Sequence, residues 1–247
     1  MHSRLDFFEH VFDSKGVSIT EVEASGAVPP EQQIERLRAR MQQMEQVVSG
    51  QEIPTHPALR GLLQLRAGGA YAVDGLPLAL AVLAGPSAAG EWCAVVGEPD
   101  FGAEAASELG VVLERTVLVP DPGESWLEAT AALVDVATLV VVRPPVRVAA
   151  GTAERLRGRL RKRGAALVAT GPHGLAWPRA EARLTAVAPQ WQGLGRGEGH
   201  LRSRQLTVEV RRGAARPRRA QLWLPGDDGG VRQAGRVETG RLLEVAG

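Results

Sequence analysis

The turn at Asp74-Gly75 is the first place where this chain of 247 residues could do chemistry. An apolar run, Ala70-Tyr-Ala-Val, leads into it and another, Leu76-Pro-Leu-Ala-Leu-Ala-Val-Leu-Ala, leads out, so the stretch reads as strand, tight turn, helix. In nucleotide-binding α/β proteins a glycine-rich loop at such a turn wraps phosphates, and a Lys-Ser/Thr pair opens the helix. Here Gly75 is followed by Leu76 and Pro77, and no lysine stands between Gly69 and Asp100. Pro77 has no N–H to offer a phosphate, and Leu76 would put an apolar side chain there. The turn has the scaffold of a phosphate site without the groups that hold phosphate. No nucleotide or other cofactor is therefore expected.

Other groups assemble less. His2, His10, His56, His173 and His200 form no i,i+4 pair and have no neighbouring cysteine, which argues against a metal site. Asp, His and Ser residues make no nucleophilic set. Gly195-Arg-Gly-Glu-Gly falls between strand-like segments and reads as a flexible turn. Arg202, Arg204, Arg211, Arg212, Arg216, Arg218 and Arg219 could line a groove that tracks phosphates, with Trp223 either stacking a base or facing the core. Arg155, Arg157, Arg159, Arg161, Lys162 and Arg163 make a basic helix, either a solvated face or a docking patch.

The elements that must position these groups alternate. Strands are predicted at Ala70–Val73, Cys93–Val96, Thr116–Val119, Leu139–Val142 and Ala166–Ala169. Helices are predicted at Leu78–Ala84, broken by Gly85-Pro86, and at Ala103–Leu109 with Gly110 as C-cap. A third spans Trp126–Val134 behind a Ser125-x-x-Glu128 capping box, and a fourth Ala153–Arg163 capped by Thr152. Continuous Val/Leu/Ala runs between helices indicate a mostly parallel α/β sheet covered on both faces. Beyond Pro178, Leu184–Trp191, Gln205–Val210 and Gln221–Leu224 read as an antiparallel extension of that sheet.

Before the core, residues 31–48 carry Ile34, Leu37, Met41, Met44 and Val48 in 3-4-3-4 spacing, the stripe of a helix that packs on another surface. Pro29-Pro30 start it and Ser49-Gly50 stop it. It serves either its own domain, self-association or a partner. A proline-bounded linker, Ile53-Pro-Thr-His-Pro-Ala-Leu, follows. The predicted organisation is an N-terminal segment at 1–50, a core at 51–225 and a flexible tail at 226–247.

With 44% hydrophobic residues the chain can build a sizeable core, although at 4% aromatic content Val, Leu and Ala must do most of the packing. A net charge of +1 selects no partner, but from Trp191 onward eleven arginines face six acids. Only Lys15 and Lys162 are lysines, so arginine dominance reflects a GC-rich composition rather than phosphate binding. The single Cys93 excludes an internal disulfide and suggests a reducing compartment. No run approaches the roughly 20 apolar residues of a membrane helix, and a soluble cytoplasmic protein is expected.

Over about residues 52–225 the chain resembles the core of RecA-type recombinases. The likeness lies in Gly90-Glu-Trp-Cys-Ala-Val-Val, Ala106-Ser-Glu-Leu-Gly-Val, Leu118-Val-Pro-Asp-Pro-Gly-Glu, Val136-Ala-Thr-Leu-Val-Val-Val and Leu201-Arg-Ser-Arg-Gln-Leu-Thr-Val-Glu-Val. Ala88-Ala-Gly-Glu-Trp-Cys-Ala-Val-Val-Gly, Trp177-Pro178 and Arg216-Pro-Arg-Arg-Ala-Gln-Leu-Trp-Leu-Pro look more narrowly like the ImuA-type accessory proteins of actinobacteria. The resemblance also marks departures. The phosphate loop is reduced to Gly75-Leu76-Pro77, the catalytic glutamate position falls on Pro99, with Glu98 pointing elsewhere, and the magnesium-side aspartate corresponds to Arg143. Phosphoryl transfer rests on positioning and charge neutralisation, so these losses imply no ATPase and no catalytic residues. The segments matching the DNA loops, Arg143–Gly151 and Gly171–Glu181, are short, which argues against a RecA-like filament.

The ImuA likeness implies an adaptor in DNA-damage-induced translesion synthesis, part of the SOS response. Its partners would be a catalytically inactive Y-family polymerase homologue (ImuB-like) and, through it, an error-prone replicative-type polymerase. Partner contacts are assigned to Ile34, Leu37, Met41, Met44 and Val48, and to Leu242, Leu243 and Val245 in the tail. Two alternatives stay open. One is a single-stranded DNA binder using Arg202, Arg204, Arg216, Arg218 and Arg219. The other is a SulA-like division inhibitor.

Overall fold

The computed structural model describes residues 50–194, 199–235 and 238–239, together with Glu35, which is helical. The other residues of the 31–48 segment, Ile34, Leu37, Met41, Met44 and Val48 among them, and the tail residues Leu242, Leu243 and Val245 lie outside the described residues.

Two short strands, β1 (Glu52–Ile53) and β2 (Leu65–Arg66), pair antiparallel on their own. Then come β3 (Ala70–Val73), α1 (Leu76–Ala88), β4 (Cys93–Val96), α2 (Ala103–Glu108), β5 (Thr116–Val119), α3 (Trp126–Val134), β6 (Leu139–Val142), α4 (Ala150–Arg163) and β7 (Ala166–Ala169). A short α5 (Gly171–Leu175) leads to β8 (Ala182–Leu194), β9 (Gly199–Arg211), β10 (Arg218–Trp223), β11 (Arg232–Gln233) and β12 (Glu238–Thr239). Among the described residues ten strands form one sheet in the order β11-β10-β9-β8-β3-β7-β6-β4-β5, with β12 also on β10. β3 to β8 are parallel, whereas β9 and β10 reverse. The α/β class and its antiparallel C-terminal extension are as the sequence indicates.

Each inner strand is four apolar residues buried on both sides, which is what a sheet roofed twice demands. On one face α1, α2 and the 53–65 segment cover Tyr71, Val73, Cys93, Val95, Val141 and Val168. On the other, α3, α4 and Trp177 cover Ala70, Ala94, Val96, Val140 and Leu167. Past β3 the second layer stops. Leu206, Val208, Val210, Ala220 and Leu222 join the first core, while Thr207 on the opposite face is half-exposed.

Several local expectations are corrected. Helix α1 is not broken at Gly85-Pro86 but runs to Ala88, and it is buried from Leu78 to Ser87. A Cβ on Gly85 would lie 2.4 Å from the His56 backbone nitrogen, so glycine here permits close packing, and burial of the whole helix outweighs the bond Pro86 cannot donate. The same contact removes the linker: Leu59, Leu62, Leu63 and Leu65 behind it are fully buried. Ser125 makes no side-chain cap, because a 3-10 turn at Gly123–Ser125 runs into α3 and already turns the chain. Helix α4 begins at Ala150, which places Thr152 inside it, where its hydroxyl accepts from Arg155 at 3.1 Å. The strands after Pro178 are longer than read, and Arg232–Gln233 is paired rather than irregular because Val231 is buried beside it.

The basic face of α4 is engaged with acids. Asp135 accepts from Arg159 at 2.7 Å and Arg163 at 3.1 Å, and Glu154 is close to Arg157 and Arg161. Among the described residues no helix is long and apolar enough to cross a membrane.

Candidate functional site

Four parallel strands end side by side, and each runs into proline: Gly97-Glu-Pro99 after β4, Pro120-Asp-Pro122 after β5, Arg143-Pro-Pro145 after β6, and Thr170-Gly-Pro172 after β7. Parallel α/β sheets place ligands outside these carboxyl ends. A cleft of about 490 Å³ lies there, lined by those prolines with Gly97, Asp121, Gly123, Arg143 and His173. Two of the positions singled out for lost acids, Pro99 and Arg143, thus share one cleft. The third feature does not join them. Gly75, Leu76 and Pro77 sit at the end of β3, where Leu76 packs against the core and Asp74 N–H is spent on the Leu184 carbonyl. Nothing there encircles a phosphate.

Arg143 is held from several sides. Its N–H bonds the Val96 carbonyl at 2.9 Å, and its own carbonyl lies where a Cβ on Gly97 would come within 2.7 Å, so glycine is needed at that close approach. Its side chain passes over Gly171, with Cγ 3.2 Å from where a Cβ would stand. Its guanidinium then reaches Glu98 at 3.3 Å. The Glu98 side chain is 3% exposed and that of Arg143 45%, so the acid is inside and the base at the cleft wall. The other Glu98 oxygen accepts from the buried Thr170 hydroxyl. Both carboxylate oxygens are occupied, which suits a fixed counter-ion rather than a group that must take a proton from water.

Glu98 is the residue that sequence reasoning missed, because a strand end was taken to turn it away. The available signal was the Pro-terminated pattern shared by four consecutive strands, which places Arg143 and Thr170 level with Gly97 on neighbouring strands and Glu98 one residue beyond.

The C-terminal arginines are dispersed. Arg204 Nε donates to the Leu224 carbonyl at 2.9 Å, its guanidinium lies 5.2 Å from the Trp191 ring centroid, and burial lowers its pKa. Arg218 donates to the Gly61 carbonyl at 2.7 Å. Arg219 and Arg211 bracket Glu209, which is buried; hydrogen bonding from Arg211 first, then from Arg219, lowers its pKa. Arg202 and Arg216 are exposed, and Trp223 is half-buried. Among the described residues no group of three or more His, Cys, Asp or Glu could hold a metal ion. Cys93 is buried, which pushes its thiol up to about 12.

Residues 58–179 match the family model described as the MT3502 N-terminal domain. The chain is also 34% identical, over 158 residues, to an uncharacterized protein of Mycobacterium tuberculosis, Rv3395c. That alignment covers 63% of this chain and 76% of the mycobacterial one.

Proposed function

The chain belongs to the family of the MT3502 N-terminal domain, and we propose that it is a non-catalytic RecA-like adaptor of the ImuA type, acting in the cytoplasm in DNA-damage-induced translesion synthesis. It docks an ImuB-like inactive polymerase homologue and, through it, supports an error-prone replicative-type polymerase. The observation that carries the non-catalytic part is the Glu98–Arg143 pair. Where the RecA likeness puts a metal-binding acid, a guanidinium stands instead, and it occupies the one buried carboxylate nearby. A cation there opposes magnesium, and the two-residue turn before Leu76 supplies no phosphate cradle. A helix-covered sheet without a nucleotide site is left as a rigid platform for proteins.

Single-stranded DNA binding draws less support, since Arg204, Arg218 and Arg219 already have partners within the chain.

Two measurements test the adaptor. Titration calorimetry with Mg-ATP should give no heat of binding; nucleotide binding or turnover would reject the non-catalytic assignment. Co-expression with an ImuB-like protein should give one peak in gel filtration, lost when residues 31–48 and 242–247 are removed. Separate elution of the intact proteins would reject the partnership.

A further inference from the structure

The cleft at the ends of β4 to β7 has walls and a charge that select one kind of ligand. We infer that it takes an extended peptide segment of a partner protein, with a single carboxylate seated on the Arg143 guanidinium; this rests on the protein-docking reading above.

The guanidinium is prepared for that task. Its backbone is fixed by the close approach to Gly97, its stem by Gly171 and its head by Glu98 at 3.3 Å. A guanidinium has five N–H donors, and the recorded bond to Glu98 uses one, from a terminal nitrogen. The side chain is 45% exposed and lines the cleft. Little conformational entropy remains to be lost when a carboxylate arrives.

The walls distinguish carboxylate from phosphate. Prolines have no N–H, and three N–H groups along the same wall are committed: Gly97 to the Val119 carbonyl, Arg143 to the Val96 carbonyl, Gly123 to the Asp121 carboxylate. A phosphate takes several donors and more than one positive charge, whereas the lining supplies one guanidinium and, besides it, the His173 imidazole. Asp121 on the same wall repels a second negative charge. Proline rings supply apolar surface instead, and proline carbonyls can accept from peptide N–H groups. One acid flanked by apolar residues matches each of these features. The volume, about 490 Å³, falls within the range of sites that enclose a small ligand or a few residues.

The test is selection of random heptapeptides on the full chain, with no translesion protein present. Selected peptides should share one Asp, Glu or terminal carboxylate among apolar residues. Arg143→Gln should weaken their binding roughly tenfold or more, the worth of a charge-assisted bond. Pro172→Glu, which keeps both Glu98 and Arg143, should do the same by placing a competing carboxylate in the cleft, and decides the matter if Arg143→Gln fails to fold. Inorganic phosphate and oligothymidylate should not displace the peptides. The inference is overturned by an empty selection, by peptides without a shared acid, by unchanged binding in Pro172→Glu, or by displacement with phosphate or oligonucleotide. Failure here leaves the co-elution result standing, and loss of the ImuB-like partnership leaves this one standing.

Discussion

The Glu98 carboxylate and the Arg143 guanidinium lie 3.3 Å apart, yet only the arginine meets solvent: their side chains are 3% and 45% exposed. The two partners therefore cannot be equivalent in stability. Arg143→Ala leaves a buried carboxylate with only the Thr170 hydroxyl, whereas Glu98→Ala leaves a guanidinium that water can reach. Arg143→Ala should cost about 2–4 kcal/mol and Glu98→Ala about 1–2 kcal/mol. The double substitution Glu98→Gln with Arg143→Gln should recover most of the loss. Urea midpoints of the variants check this, and a larger loss in Glu98→Ala than in Arg143→Ala would contradict it.

Gly85→Ala sets helix propensity against packing. Alanine in a helix is favoured by about 1 kcal/mol over glycine. The new Cβ would lie 2.4 Å from the His56 nitrogen and 2.8 Å from the Thr55 carbonyl carbon, both backbone atoms that cannot rotate away. Overpacking of this kind costs about 1–3 kcal/mol, so the net effect should be a lower melting temperature. A rise in the melting temperature would mean that the 53–65 segment is not held against α1.

Acid should loosen the junction of α3 and α4. Hydrogen bonding from Arg159 and then Arg163 lowers the Asp135 pKa from 3.8 to about 2. A folded-state pKa below the unfolded one gives stability that is present above about pH 4 and lost as pH falls towards 2. Asp135→Asn should lower the neutral plateau by the loss of these ion pairs and flatten the stability profile between those values. Chemical denaturation at stepped pH measures it, and identical acid limbs would refute the assignment.

Arg204 has two attachments and Trp191 one. Trp191→Ala removes the cation–π contact of a half-exposed ring and should cost roughly 0.5–1 kcal/mol. Arg204→Ala also frees the Leu224 carbonyl and should cost more. Thermal melts that rank the two in the opposite order would show that the ring, not the guanidinium, anchors this part of β8.

The four inner strands, Ala70–Val73, Cys93–Val96, Leu139–Val142 and Ala166–Ala169, were legible to the residue because a doubly covered strand must be apolar at every position, and the half-buried edge strand Thr116–Val119 was legible beside them. What stayed hidden depends on contacts distant in sequence. Gly85-Pro86 has a local meaning, helix stop, that the backbone of Pro54–His56 overrides. Ser125 and Glu128 spell a cap that the preceding 3-10 turn makes redundant. Glu98 looked like a stray acid at a strand end, since nothing within ten residues announces Arg143 or Thr170. The cleft was half-visible: Pro99 and Arg143 were marked as what they lack, while their joint presence with five further prolines along one sheet edge needed the strand order.

Six prolines along that edge have a historical consequence. Each removes an amide hydrogen that an anion cradle would require, and none can be restored without replacing the residue itself. Descendants of this chain would need several simultaneous replacements, together with loss of Arg143, before a triphosphate gained any foothold. On the adaptor reading proposed above, the sheet end works as a ratchet, open to protein ligands and closed to a triphosphate.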